Sequence, residues 1–232
     1  MIQKVFNRYE KKYLLDQKTY EVFKKELDVY MAEDSYGWHT IRNIYFDTAD
    51  DALIRTSIEK PKYKEKFRVR CYGQPTEDST YFLEIKKKYN GLVNKRRIPL
   101  SREEAKKYLE EGDAPKETGQ IYREVDYFFT HYGIRPKRYI AYDRLAMFGK
   151  DDPDFRVTFD VAIRSRTDNL TLQSDENTTL LLTPGYYLME VKISDAMPKW
   201  FVDLLSKYGI YNTSFSKYGM FYQKQVIEQI GA

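Results

Sequence analysis

The chain has 232 residues, 42% hydrophobic and 32% charged, with a formal net charge of +4. That balance excludes a disordered chain, and with so small an excess any attraction for anions must come from where the cations sit. A single cysteine, Cys71, and two histidines, His39 and His131, exclude an intrachain disulfide and a Cys/His zinc site, so a metal would have to be held by oxygen.

Residues 1–8 contain no apolar signal-peptide core, and no run approaches the ~20 apolar residues of a membrane span. The expectation is a soluble, cytoplasmic protein without a membrane segment, although a membrane partner stays open. Length alone suits one large domain or two small ones. No repeat, low-complexity tract or linker divides the chain, so residues 1–232 read as a single unit.

Arg8 to Leu15 alternates with the period of two that a strand imposes, Arg8, Glu10 and Lys12 on one face and Tyr9, Lys11 and Tyr13 on the other. Asp16 is an N-cap for a helix to about Val29, whose stripe is Tyr20, Val22, Phe23 and Leu27. Ile41 to Asp47 reads as a second strand, and the acidic turn from Asp47 to Asp51 leads into a short helix carrying Leu53 and Ile54.

Between Lys64 and Arg97 three consecutive strands follow. Lys66, Arg68, Arg70, Glu84, Lys86, Lys88, Lys95 and Arg97 share one face; Phe67, Val69, Leu83, Ile85 and Ile98 take the other. Phe67, Tyr81 and Phe82 are assigned to packing on the face away from the cations or at strand edges. Ser101 to Glu104 forms a capping box for a helix to about Glu111, ended by Gly112 and Pro115.

A further amphipathic helix spans about Gly119 to Tyr132, closed by Gly133 and Pro136. Strands resume at Arg138 to Met147 and Asp154 to Arg164, and Leu170 to Leu182 is a weaker strand pair with an acidic loop. Tyr186 to Ile193 is the last strand. A helix at about Met197 to Tyr208 and a short C-terminal helix after Ser214 to Tyr218 complete the chain.

By parity Arg144, then Arg156, Thr158 and Asp160, then Glu190 and Lys192 join the charged face. Like charges opposite one another on neighbouring strands are destabilising, so such a face needs either water or a polyanion. A solvated face of an open sheet is the commoner origin of this alternation. The abundance of Arg, whose planar fork suits bidentate phosphate recognition, favours instead strands closed into a tunnel lined with phosphate-binding groups.

Arg8 to Tyr13, Phe67 to Arg70, Leu83 to Lys86, Lys95 to Arg97, Phe155 to Val157, Leu188 to Lys192 and Phe215 to Tyr218, in that order, resemble the vacuolar transporter chaperone (VTC) catalytic domain. That domain is a polyphosphate polymerase of the triphosphate tunnel metalloenzymes. The resemblance covers about Arg8 to Tyr222 and implies an α+β fold: a closed antiparallel β-barrel tunnel of the CYTH type with helices packed outside. It implies transfer of the ATP γ-phosphoryl group to inorganic polyphosphate, with Mn²⁺ or Mg²⁺ as cofactor.

Carried over by motif, Arg68, Arg70, Lys86, Arg144 and Arg156 are the expected catalytic grip on the triphosphate. Lys12, Lys66, Lys88, Lys95, Arg97, Lys192 and Lys217 are expected to bind nucleotide phosphates or product. Glu190, helped by Glu10 or Glu84, is expected to hold the metal. The superfamily's Glu-x-Glu-x-Lys stands here as Arg8-x-Glu10-x-Lys12, which favours one metal ion over two, and Ser214 replaces a basic residue of yeast-like members, which weakens the hold on a long product.

Two rivals stay open: an inorganic triphosphatase or polyphosphatase with water as acceptor, and a non-catalytic polyphosphate or nucleotide-binding module. Nucleic acid is not an expected partner.

Overall fold

The computed structural model describes residues 5–111, 119–194 and 196–231. Its strands are β1 (Val5–Asp16), β2 (Met31–Glu33), β3 (His39–Asp47), β4 (Tyr63–Tyr72), β5 (Tyr81–Tyr89), β6 (Leu92–Leu100), β7 (Arg135–Gly149), β8 (Arg156–Arg166), β9 (Thr179–Leu180) and β10 (Tyr186–Ile193). The helices are α1 (Gln17–Tyr30), α2 (Ala52–Ile58), α3 (Arg102–Lys106), α4 (Gln120–Tyr132), α5 (Lys199–Lys207) and α6 (Lys217–Ile230).

All pairings are antiparallel, in the order β7-β3-β4-β5-β6-β1-β10-β8, and β8 pairs back onto β7 to close an eight-stranded barrel. The short β2 and β9 extend β7 and β8. Closure removes every edge except those two and separates an inner from an outer face along each strand.

The outer face is apolar and the helices cover it. Phe67, Val69, Leu83, Ile85 and Ile98 pack beneath Val125 and Phe128 of α4. On the opposite wall Tyr13, Val157, Phe159, Met189 and Val191 lie beneath Phe23 and Leu27 of α1 and Phe201 and Leu204 of α5. Phe128 is buried 6.0 Å from Phe67, ring to ring, and its truncation to Ala is expected to cost about 3–5 kcal/mol.

Capping follows the sequence. Asp16 accepts from the Thr19 amide, and Ser101 and Glu104 form the reciprocal capping box. The buried Asp47 accepts from the amides of Thr48, Leu53 and Ile54, anchoring the start of α2. Gly133 ends α4 at φ 57°, the left-handed conformation that glycine adopts without a Cβ clash.

Several expectations change. α3 is one turn that runs into a π turn, Lys107–Glu111, and Gly112 and Pro115 lie outside the described residues. The segment Leu170 to Leu182 yields only the two-residue β9. It is held instead by Arg166, which donates to the carbonyls of Asn169, Thr171, Ser174 and Glu176, and by Asp175, which accepts from Arg42 and Arg164. The last helix, α6, has 14 residues rather than being short. Among the described residues, no helix is long and apolar enough to cross a membrane.

Candidate functional site: a cationic tunnel closed by α6

Register carries the charged residues of successive strands to the same inner face. Arg70 lies opposite Asn43, Arg68 opposite Tyr45 and Glu84, Lys86 opposite Lys66 and Lys95, and Arg97 opposite Glu84. On the far wall Glu190 lies between Lys12 and Thr158, Lys192 between Glu10 and Arg156, and Arg144 opposite Asp160.

α6 closes one end. Its lead-in and first turns place Phe215, Tyr218 and Phe221 against Ile140, Ile163 and Leu188 of the inner face. The Phe215 carbonyl accepts from Lys12 Nζ at 2.7 Å, Ser216 Oγ accepts from Lys66 Nζ at 2.8 Å, and Lys217 reaches the acids of the far wall. The exposed guanidinium of Arg156 lies on a strand that starts away from this plug.

Two acidic centres organise the cations. Glu84, 1% exposed, binds Arg68 Nη2 at 2.7 Å through Oε2 and Lys95 Nζ at 3.0 Å through Oε1. Neutral groups fix the forks further: Arg68 donates to Tyr45 Oη, and Arg70 donates to Asn43 Oδ1 and Tyr142 Oη, each at 2.9 Å. At the second centre Arg144 grips Asp160 bidentately at 2.5 and 2.7 Å and reaches Glu190 at 3.3 Å. Lys217 bridges Asp160 at 2.5 Å and Glu190 at 2.9 Å, with Lys12 3.3 Å from Glu190. Glu10 pairs with Lys86 at 2.6 Å.

Burial would raise the pKa of Glu84 and Glu190, but the surrounding cations outweigh it and hold both well below the carboxylate range. Burial also disfavours the charge of Lys217, yet Asp160 and Glu190 raise its pKa. Lys66 has no described carboxylate within ion-pairing distance; burial and the charges of Lys12, Lys86 and Lys64 push its pKa well down. Lys192 is pushed down to about 7 by burial and by Arg144. The described cations of the tunnel thus outnumber Glu10, Glu84, Asp160 and Glu190, the acids they surround.

Fourteen of the fifteen residues singled out in the sequence map to this inner face by register, with Arg156 at its exposed end, and α6 brings the fifteenth, Lys217, to it. Asn43, Tyr45 and Tyr142, which fix the arginine forks, and Lys64 carried no sequence signal beyond parity. Asp160 was on the charged face without a role; the structure makes it the bidentate partner of Arg144. Phe82 is a correction: it shares parity with Glu84 and lies inside, 4.6 Å beneath the Arg97 guanidinium and 5.6 Å from Tyr72. Cys71 is buried in the outer cluster, where burial raises its pKa, as a packed residue should be.

The oxygen donors are of the type a hard divalent ion needs. Among the described residues, however, no group of three acids, histidines or cysteines is placed to hold a metal, and Glu190 and Asp160 are bridged by Lys217. These residues fit Mn²⁺ or Mg²⁺ only as a one- or two-carboxylate seat, with oxygens of a bound ligand and water filling the remaining positions.

A closed antiparallel barrel with this cation-lined interior and external helices is the architecture of the triphosphate tunnel metalloenzymes. The chain belongs to the VTC domain family, whose model matches residues 7–225. Among solved structures it is similar to a candidate adenylate cyclase from Bacillus halodurans: TM-score 0.58, 16% identity, covering 92% of this chain and 96% of that one. A candidate adenylyl cyclase from Hippeastrum, described as having a dominant triphosphatase activity, matches with TM-score 0.57 and 14% identity over 96% of each chain. A candidate adenylate cyclase from Vibrio parahaemolyticus matches with TM-score 0.51 and 9% identity over 93% and 98%. At these identities the likeness is one of fold. No curated protein matches the chain.

Proposed function

We propose that this protein is a polyphosphate polymerase that binds the ATP phosphates in the tunnel and transfers the γ-phosphoryl group to a growing inorganic polyphosphate chain. The observation that carries the reading is the excess of buried, fixed cations on the inner wall of a VTC-family barrel. Lys66 and Lys192 have no described carboxylate partner, and burial and neighbouring cations disfavour their charge, which an adjacent anion would favour.

Phosphoryl transfer asks little covalent chemistry of a protein; positioning and charge stabilisation supply most of the rate. Arg68, Arg70 and Arg144 are already aimed by Tyr45, Asn43, Tyr142 and Asp160, so their orientation does not have to be created during the reaction. With Lys86 and Arg156 they grip the triphosphate and stabilise charge on the transferring group. Lys12, Lys66, Lys88, Lys95, Arg97, Lys192 and Lys217 hold the remaining phosphates or the product. Glu190, beside Asp160 and one strand from Glu10, is the seat proposed for Mn²⁺ or Mg²⁺, which when bound neutralises charge on phosphate oxygens.

The same tunnel with water as acceptor would be a triphosphatase, the activity described for the Hippeastrum protein of similar fold. Incubation with ATP and Mn²⁺ or Mg²⁺, with gel analysis for chains and an assay of free phosphate, separates the two. Chains with matching ADP support the polymerase. Free phosphate without chains replaces it with the hydrolase, and tight triphosphate binding with neither product replaces it with a binding module.

A further inference from the structure

At the end of the barrel that α6 closes lies a cavity of about 410 Å³ between the start of β7, the end of β8 and one face of the helix. Its lining includes Arg135, Lys137, Arg138, Tyr218, Tyr222 and Gln225. Asp51 is the only carboxylate among its lining residues, and it is already paired with Lys137 at 3.0 Å.

Arg138 is the unusual member. It is 7% exposed, yet no described carboxylate lies within ion-pairing distance of its guanidinium. Its donors meet only neutral acceptors, Ser165 Oγ at 3.3 Å and Gln225 Oε1, and the guanidinium stands 5.8 Å from the Phe221 ring centre. Burying a guanidinium without a counter-charge is costly, so such groups are paired or await an anion. Arg135 adds a second guanidinium whose described contact is one weak bond to the Ala49 carbonyl, at 3.4 Å.

Phosphate oxygens match this set: guanidinium forks for bidentate contacts, the Lys137 ammonium, and the Tyr222 hydroxyl as a further donor. The lining offers cationic and hydroxyl donors and its one carboxylate is already paired, which fits a small phosphoanion.

We infer that this cavity is a second anion site, distinct from the tunnel, that binds a small phosphoanion of the orthophosphate or pyrophosphate class. α6 contributes to both, Lys217 to the tunnel and Tyr218, Tyr222 and Gln225 to the cavity. Tyr218 lines the cavity, donates to Asp47 at 3.0 Å and lies 5.1 Å ring to ring from Tyr45, the partner of Arg68. The inference does not depend on what the tunnel catalyses.

The test is titration of inorganic pyrophosphate into the full chain by calorimetry, with amide NMR shifts of Tyr222 and Gln225 as the local readout. Two sites are expected. The double variant R135A/K137A, altered at the cavity rim, should bind at the cavity at least tenfold more weakly, leaving the tunnel site unchanged. R138Q should do the same while keeping a hydrogen-bonding side chain; if it fails to fold, R135A/K137A alone decides. Long-chain polyphosphate in place of pyrophosphate distinguishes a chain end from a free anion: equal shifts at Tyr222 assign the site to chain termini, and shifts with pyrophosphate alone assign it to the free anion. A single site in the wild type, or a second site that both variants leave intact, overturns the inference.

Discussion

Lys217, in the first turn of α6, places its ammonium 2.9 Å from Glu190 on β10, so the helix that closes the tunnel is tied to the acidic pair on the far wall by a buried charge. The same ammonium is 2.5 Å from Asp160. Plug and site therefore share one ion cluster.

Replacing Lys217 by Met should leave that cluster one cation short and lower the unfolding free energy by about 3 kcal/mol at neutral pH. Glu190 and Asp160 have depressed pKa values in the fold, so the stability they contribute is present above the unfolded carboxylate pKa and is lost as pH falls through the folded values. The gap between wild type and variant in urea unfolding should narrow below about pH 4. A gap constant from pH 7 to pH 3 would show that the loss is one of packing and not of charge.

Glu84 shares its single negative charge between Arg68 and Lys95. Glu84→Gln should lower the melting temperature, and triphosphate should restore more stability to the variant than it adds to the wild type, because the anion supplies the charge the variant lacks. At one hundred times its dissociation constant a ligand raises stability by roughly 3 kcal/mol by mass action alone. Equal thermal shifts in the two proteins would contradict the charge-relief reading.

Lys192 gives the tunnel a pH dependence. Its pKa in the fold, about 7, is below that of the unfolded chain, which therefore binds more protons between the two values. The lysine's cost to stability is fully present below pH 7 and is relieved as pH rises through that window. An anion beside it reverses the shift, so triphosphate binding near pH 8 should take up protons. Calorimetry in buffers of different ionisation heat should show that uptake in the wild type and less of it in Lys192→Gln; identical uptake would assign the proton elsewhere.

Because Lys217 bridges Glu190 and Asp160, Mn²⁺ without a phosphate ligand should bind weakly, and triphosphate should tighten it by an order of magnitude or more. Electron paramagnetic resonance of free Mn²⁺ measures this directly. Glu190→Gln should abolish most of that gain and reduce turnover while retaining anion binding. Tight Mn²⁺ binding to the protein alone would require a seat other than the one proposed.

Strand parity made the barrel's lining legible before any coordinates, because a period of two places Arg68, Glu84 and Lys86 on one face whatever the partner strand. Parity breaks where the backbone is irregular. On β8 the bulge at Ala162, φ 47°, turns Ile163 inward and Arg164 outward to Asp143 and Asp175, which alternation from Asp160 would have reversed. Pairings between distant segments were equally hidden: nothing local in Tyr45 or Tyr142 announces an arginine partner, and the joining of Lys217 to Glu190 depends on where α6 docks. Phe82 was misassigned because an aromatic residue beside a charged run reads as packing, whereas its parity with Glu84 was the better guide.

The inward gathering of cations also fixes how the particle looks from outside. With 39 basic and 35 acidic residues in all, a lining this rich in Lys and Arg leaves the remainder of the chain with an excess of acid. The bore and the rest of the chain therefore carry net charge of opposite sign. A polyanion is therefore expected to be attracted at the mouth more than at the side wall, and added salt should slow its entry more than it speeds its escape.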